Sequence, residues 1–302
     1  MDYTTTSKIV QAPEGAVKLI EKSADIWGEA PTGNKLAFTH AVFCQVGLPR
    51  RAVKGDSFIR KSGDAWLHVQ AGMLDEGHGY VIQPVPYGAF PRIALAHITT
   101  MARRHKTKEI ALGDSAAEFL RVLEMPRKGA SYRMARKQMH ALAACRLQMG
   151  CRGHTYNGQP VQEFDAWLLN TSEKTGSLFP GCLTLSDDFY NSIIMGAAVP
   201  IDMRALLALK GSSLAMDFYF WLTHRLYTIG KKPVFVSWKN LRLQFGQEYQ
   251  GPEADKNFKK AALPALREAL AVYPQARVSL VHGGLLLHAS PPPVQPTKVV
   301  TV

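Results

Sequence analysis

The stretch that decides the fold is PRKGASYRMARKQMHALAACRL, residues 126–147, which carries six Lys or Arg residues and no acid. Its first four residues predict a tight turn, and a helix is expected from Ser131 to Cys145. On a helical wheel one side is apolar and a second side is basic, formed by Arg133, Arg136, Lys137 and His140. The helix is therefore predicted to bury one side and to present cations at a spacing compatible with a DNA major groove.

The segments around this helix complete a known order of elements. Helical periodicity covers 92–106, a strand-like apolar run covers 108–113, and a helix opens after Ser115, which has Glu118 at capping-box spacing. After the basic helix, the segments CRLQMGCR and VQEFDAWLLN, with the turn-rich HTYNGQP between them, together predict a β-hairpin. A helix-turn-helix followed by a hairpin predicts a winged helix.

The same order recurs about 125 residues further on. Two helical patterns within 203–230 precede a strand at 232–238, a helix at 237–246 with Ser237 as its cap, and a helix at 255–274. A closing hairpin around Gly283 and Gly284 completes a second predicted winged helix. Ahead of the first one, the segments LAFTHAVFCQV, DSFIRK, AWLHVQAG and GYVIQPV predict an antiparallel sheet of about four short strands.

The chain is thus predicted to be α+β, with tandem winged-helix domains and an N-terminal antiparallel β extension. The predicted divisions are a flexible N-terminal arm at 1–33, the β extension plus the first winged-helix domain at 34–200, the second winged-helix domain at 201–290, and a Pro-rich flexible tail at 291–302.

The charge balance indicates a polyanionic partner. The 302 residues include 36 Lys and Arg against 24 Asp and Glu, a formal charge of +12, which fits nucleic acid or an anionic membrane surface. Because no long apolar run and no secretory signal are visible, we expect a cytoplasmic protein without a membrane partner. The four cysteines are expected to be reduced. A zinc site from Cys145, Cys151 and His154 matches no common spacing, so neither a metal nor a cofactor is expected.

A basic helix face can be merely solvated, or it can bind an anion. A solvated face usually mixes signs, whereas no acid lies between Glu124 and Glu163. This absence of acids favours DNA contact by the basic residues of the region, namely Arg127, Lys128, Arg133, Arg136, Lys137, His140 and Arg152. In the second half, DNA contact is predicted for Lys231, Lys232, Lys256, Asn257, Lys259, Lys260 and Arg267. Asn257 is either an adenine reader or a local cap, and Pro264 is expected to kink its helix.

Other chemistries find little support. GEAPTGNKL, residues 28–36, imitates a phosphate-binding loop but has Asn34 where that loop needs lysine. No His-apolar-His cluster of a nicking enzyme and no GxSxG or HExxH motif is present, so we predict that the protein is not an enzyme. A row of aromatic residues could form a base-stacking platform or belong to the core, and core positions are predicted for Tyr219, Trp221, Tyr227 and Trp238.

Several ordered motifs carry a family resemblance. They include LPRR (48–51), PYGAFPRIALAHITTMA (86–102), GDSAAEFLRVL (113–123), LTLSDDFYNSI (183–193), PIDMRALLALKGSSLAMDFYFWLTHRLY (200–227) and VSWKNLRLQFGQEY (236–249). Together they resemble the plasmid-encoded RepA family of bacterial plasmid replication initiator proteins, over nearly the whole chain from Lys35 to Val294.

The resemblance implies a sequence-specific protein that binds double-stranded DNA at repeated sites of a plasmid origin, helps to melt it, and recruits the host initiator and the replicative helicase. It also implies homodimers that repress their own gene and monomers that start replication. Two winged helices would reach successive major grooves, which suits repeats of about twenty base pairs. The alternative is a transcriptional repressor of the same fold that never opens DNA.

Overall fold

The computed structural model describes residues 17–75, 79–113, 115–151, 153–164 and 181–295. They divide into two compact units. The middle unit consists of Phe38–Val42 and Val46–Ala198, and the terminal unit consists of Phe43–Gln45 with the described residues up to Ala37 and from Val199 onwards. Both units combine helices with strands, which confirms the α+β class. Among the helices described, none is long and apolar enough to cross a membrane.

The elements of the first part of the chain are α1 Val17–Gly28, a 3-10 turn Gly33–Lys35, β1 Leu36–His40, β2 Ser57–Ser62, β3 Ala65–Gln70, β4 Met73–Asp75, β5 Tyr80–Ile82, α2 Ala89–His105 and β6 Glu109–Gly113. Those of the central part are α3 Ala116–Val122, α4 Gly129–Ala144, β7 Arg146–Cys151, β8 His154–Gly158, β9 Val161–Phe164, β10 Gly181–Leu185, α5 Asp187–Ser192 and a π-helical turn Ile193–Ala197. The last are β11 Ala198–Asp202, α6 Met203–Ala208, α7 Ser213–Tyr227, β12 Val234–Ser237, α8 Trp238–Phe245, α9 Ala254–Ala271, β13 Val278–Val281 and β14 Gly284–Leu287.

The middle unit contains the predicted order of helix, strand, helix and helix in α2, β6, α3 and α4. Ser115 caps α3 as expected, because its side-chain oxygen accepts a hydrogen bond from the backbone N–H of Glu118 at 3.2 Å. A three-stranded antiparallel sheet accompanies these helices, with β10 lying between β6 and β9. The hairpin that completes this sheet is therefore β9 and β10.

The hairpin predicted directly after α4 is wrong in its pairing. The segment HTYNGQP, predicted to be its turn, contains the strand β8, and the described part of its predicted second strand is β9 of the other sheet. The strands β7 and β8 do pair with each other, but β7 also pairs with β3, so both belong to a four-stranded sheet of order β2-β3-β7-β8. The register explains why: it places Leu67 opposite Met149 and Val69 opposite Leu147, and all four side chains are buried. Residues 165–170 of the predicted hairpin lie outside the described residues.

The predicted N-terminal sheet of about four strands is also revised. The strands β2 and β3 belong to the four-stranded sheet just described, whereas β4 and β5 form a separate two-stranded ribbon. The run AVFCQV after β1 contains no strand, although it is largely buried. Apolar alternation in this region therefore reports burial more reliably than it reports strand pairing.

The terminal unit repeats the element order in α7, β12, α8, α9, β13 and β14. The strands β12, β13 and β14 also form an antiparallel sheet, with β14 between β12 and β13. The predicted cap of α8 is present, since the side chain of Ser237 accepts a hydrogen bond from the N–H of Asn240 at 3.2 Å. The helix α7 forms the centre of the core, and the ring of Phe218 packs edge-on against that of Phe245 with 5.1 Å between centroids.

Three of the four aromatic residues predicted to be core are buried, namely Tyr219, Trp221 and Trp238. The prediction is wrong for Tyr227, whose side chain is 62% exposed. Tyr227 is the last residue of α7, where the helix leaves the core, and a wheel pattern does not record where along its axis a helix stops being covered.

The predicted flexible arm at 1–33 is corrected for its described part. Residues 17–28 form α1, and the ring N–H of Trp27 donates a hydrogen bond of 2.9 Å to the carbonyl of Ala271. Arg204 binds the end of the same helix, donating to the carbonyls of Asp25 and Glu29 at 2.8 and 2.7 Å. The segment therefore belongs to the terminal unit. The Pro-rich tail is described only as far as residue 295, where Val294 is buried.

We predict that Gly246→Ala destabilises the terminal unit. Gly246 is the C-cap residue of α8. A Cβ atom at this position would lie 2.3 Å from a ring carbon of Phe258, which is fully buried in α9. Such overpacking is expected to lower the free energy of unfolding by about 1–3 kcal/mol in urea denaturation. The matched control is Gly211→Ala, where a Cβ meets no atom within 4 Å. Equal unfolding midpoints for the two variants would contradict the packing described for this turn.

Candidate nucleic-acid interface

The first two turns of α4 form an exposed basic surface. Arg133 and Lys137 are exposed and Arg136 is half-buried, while Arg127 and Lys128 are exposed immediately before the helix. The opposite side of α4 is held in the core by buried apolar residues, among them Ala135, Met139 and Leu142. Burial of that side forces the cations toward solvent. These five residues are called the α4 surface below.

His140 does not belong to this surface, so its predicted contact with DNA is corrected. Its side chain is only 1% exposed, and its ring packs edge-on against that of Phe164 in β9, with 5.8 Å between centroids. Every residue of α4 from Gln138 to Ala144 is buried. His140 does share a wheel position with Arg133, but β9 covers the C-terminal half of the helix, and the surface ends at Lys137. Arg152 lies outside the described residues.

The end of the α4 surface is anchored by the segment ahead of α2. The Lys137 ammonium lies 5.8 Å from the ring centroid of Tyr87, within range of a cation–π contact. The backbone N–H of the same tyrosine donates to the side-chain oxygen of the buried Gln138 at 2.8 Å. These two contacts fix the position of the segment before α2 relative to α4.

The beginning of α4 concentrates positive charge where the helix dipole is also positive. Lys128 is the N-cap residue, its side chain forms no capping hydrogen bond, and the first turn contains no acid. Cations are unfavourable at a helix N-terminus unless an anion is bound nearby. This arrangement favours an anionic ligand over a merely solvated face.

A second basic surface lies on the N-terminal half of α9. Its members are the exposed residues Lys256, Asn257, Lys259 and Lys260, and we call them the α9 surface. The side opposite to them is buried, with Phe258, Ala262 and Leu266 fully inaccessible. The Lys259 ammonium lies 5.5 Å from the ring centroid of Trp238 in α8, which ties the surface to the preceding helix.

The acids near this surface are largely engaged. Asp255 bonds to the guanidinium of Arg242 in α8, which also donates to the carbonyl of Tyr249 at 3.0 Å. Glu253 pairs with Lys256 at 2.7 Å, an exposed pair of the kind that contributes little to stability. Glu268 is half-buried, and burial raises its pKa above its usual value. The α9 surface therefore keeps an excess of positive charge.

The remaining predicted residues of this unit lie on either side of the α9 surface in sequence. Lys231 and Lys232 are exposed between α7 and β12, and Arg267 is half-buried in the second half of α9. The helix α9 runs from Ala254 to Ala271 through Pro264, which is exposed, so the proline does not divide it. The Asn257 side chain is exposed, and its backbone N–H donates to the carbonyl of Glu253.

Lys239 was missed by the sequence analysis. It is exposed in the first turn of α8, two residues after the Ser237 cap. The sequence contained a signal for it, because Lys239 follows the predicted N-cap Ser237 and lysine is unfavourable at the positive end of a helix unless an anion binds there.

A metal centre receives no support from the thiols. Burial raises the pKa of the Cys145 thiol to about 12, which disfavours the thiolate that a metal ion needs. Within the part of the chain that the structure describes, no group of three or more His, Cys, Asp or Glu side chains is placed to hold a metal ion.

Comparison with known proteins identifies a matching family and a similar fold. The sequence model of the family described as "Plasmid encoded RepA protein" matches residues 85–239, just over half of the chain. The crystal structure of domains 2 and 3 of RctB, in selenomethionine form, matches with a TM-score of 0.53 at 10% identity, covering 83% of this chain and 96% of that one. A second structure of RctB domains 2–3 gives 0.49 at 9% identity, covering 82% and 94%. At such identities the likeness shows the fold alone. No curated protein sequence matches the chain.

We predict that the α9 surface contributes to binding of any duplex DNA. Replacing Lys259 and Lys260 with alanine should weaken binding and reduce the slope of log K against log salt by about 0.9 for each lost phosphate contact. Fluorescence anisotropy over a salt titration measures this slope. Arg225→Ala, which removes an exposed cation from α7, is the matched control and should leave the slope unchanged. Equal slopes for wild type and the double variant would exclude the α9 surface as a phosphate contact.

Proposed function

Because the chain belongs to the family of plasmid-encoded RepA proteins, we propose that it initiates plasmid replication by binding repeated sites in double-stranded origin DNA. The observation that carries this proposal is the repeated placement of a basic surface. In each unit it lies on the helix that follows a short helix and a turn, at the N-terminal part of that helix.

We interpret both units as winged helices. In both units a helix, a strand and two helices precede two strands that complete a three-stranded sheet, and in each of these sheets the last strand lies between the other two. The middle unit differs in carrying β7 and β8 between α4 and β9. On this interpretation α4 and α9 are the helices that enter the major groove. The connection between β13 and β14 is then the wing of the terminal unit.

The basic residues on the helices and those outside them then make different kinds of contact with DNA. The exposed turns of α4, with Arg133 and Lys137, and of α9, with Asn257 and Lys260, face base edges and the adjoining phosphates. Cations outside the helices contribute phosphate contacts that add affinity without sequence information, and these are Arg127, Lys128, Lys231 and Lys232. Two helices in successive major grooves suit a repeat of about twenty base pairs.

Initiation follows from binding energy and needs no covalent chemistry by this chain. Contacts at two grooves can offset the energy required to bend DNA and to unpair an adjacent A·T-rich segment. We propose that the opened segment is passed to the host initiator and the replicative helicase, and that a homodimer of the chain represses its own gene. Both proposals rest on family membership.

DNA opening distinguishes an initiator from a repressor of the same fold, since the two basic surfaces would serve either one. We predict that the protein makes thymines reactive toward permanganate in a negatively supercoiled plasmid that carries the DNA adjoining its gene. The reactive thymines should lie beside the bound repeats, because unpairing exposes them to the reagent.

The matched control is the same supercoiled plasmid without the repeats, which should remain unreactive. Protection of the repeats without any reactive thymine would contradict initiation and favour the repressor. Absence of any protection would contradict DNA binding itself.

A further inference from the structure

The loop that contains the LPRR motif has a buried part and an exposed basic part. Gly47, Leu48 and Pro49 are buried, whereas Arg51 and Lys54 are exposed. Neither cation forms a hydrogen bond or an ion pair with another residue of the described ranges. The loop connects β1 to β2 and has no assigned role in the DNA contacts described above.

Two buried guanidinium groups hold the inner part of this loop. Arg92 of α2, which is 4% exposed, donates to the carbonyls of Leu48 at 2.6 Å and of Pro49 at 3.2 Å. Arg60 of β2, which is 1% exposed, donates to the carbonyls of Gly47 at 3.2 Å and of Leu48 at 3.4 Å. Burying a guanidinium is costly unless its donors are satisfied, so two of them acting on three consecutive carbonyls make the loop rigid.

The same loop is connected to the α4 surface. The N–H of Gly88 donates to the carbonyl of Pro49 at 3.0 Å, and Gly88 has a φ of +85°, a conformation that favours glycine. The residue before it is Tyr87, whose ring lies under the Lys137 ammonium. Only Tyr87 and Gly88 therefore separate the inner part of the loop from the last cation of the α4 surface.

We propose that Arg51 and Lys54 extend the α4 surface and bind phosphates of the DNA backbone, with Arg60 and Arg92 as positioning residues. This proposal rests on the proposed function, because it assigns the additional contacts to the same DNA. The exposed Asp56 is the acid nearest in sequence to Lys54, and Arg50, Arg51 and Lys54 outnumber it. Anchoring of the backbone at Leu48 and Pro49 suits this role, because less backbone entropy is lost when the adjoining cations bind.

The test of the ligand is a salt titration of binding to origin repeats and to an unrelated duplex of equal length. Arg51→Ala combined with Lys54→Ala should reduce the slope of log K against log salt by about 0.9 per lost contact on both duplexes. The ratio of the two affinities should stay unchanged, since phosphate contacts carry no sequence information. The control is Lys61→Ala, an exposed cation of β2 whose neighbour Arg60 is buried. Unchanged slopes for the double variant would overturn the proposal.

The positioning role is tested by a double-mutant cycle. Arg92→Lys keeps the charge but loses the planar geometry that reaches several carbonyls. It should reduce the slope as the loop variant does, and it should have no further effect when combined with that variant. An unchanged slope in a folded Arg92→Lys protein, as judged by its thermal melt, would exclude positioning by Arg92. If that protein does not fold, Arg60→Lys is tested in the same way.

The failure of this proposal is distinguishable from that of the proposed function. If Lys137→Ala reduces the slope while the loop variant does not, DNA binding by the α4 surface stands and the loop contact is wrong. If the wild-type protein binds neither duplex, the proposed function fails first.

Discussion

Burial of one apolar side on each basic helix is the constraint on which the rest of the structure depends. Phe258 and Leu266 are fully buried in α9, and Met139 is buried in α4, so neither helix can rotate about its axis without exposing apolar surface. The cations on the other side are consequently fixed in direction. In α9 the cations keep this fixed direction although the helix contains Pro264, because the helix is continuous to Ala271. A rigid row of cations requires less ordering on binding than a flexible basic tail would.

Positive charge is also concentrated at helix N-termini. Lys128 precedes α4, Lys239 lies in the first turn of α8, and Lys256 lies in the first turn of α9. Each is placed where the helix dipole is already positive. For Lys128 and Lys239 this is unfavourable in the free protein and favourable once phosphates are present, whereas Lys256 is already offset by its pair with Glu253. A surface arranged in this way gains more from an anionic partner than a solvated face of mixed charge would. The loop that contains Arg51 is not part of a helix, but buried arginines bind its backbone carbonyls. Its exposed cations would likewise gain from an anionic partner.

Local signals predicted much of the fold correctly, and the failures have a common physical cause. The caps at Ser115 and Ser237 and the helices that follow them depend on hydrogen bonds within a few residues, which a sequence displays directly. The pairing of β7 with β3, the docking of α1 through Trp27, and the burial of His140 beneath β9 depend on partners far away in the chain. The basic helices of the candidate interface were therefore recognisable, whereas the point at which α4 becomes covered was not.

The central claim is that α4 and α9 contact neighbouring major grooves of one repeat. Ethylation interference on a single origin repeat tests it most directly, because it reports which phosphates must be free for binding. The account predicts two clusters of interfering phosphates on one face of the duplex, separated by about one helical turn of 10 base pairs. A single cluster, or two clusters on opposite faces, would contradict it.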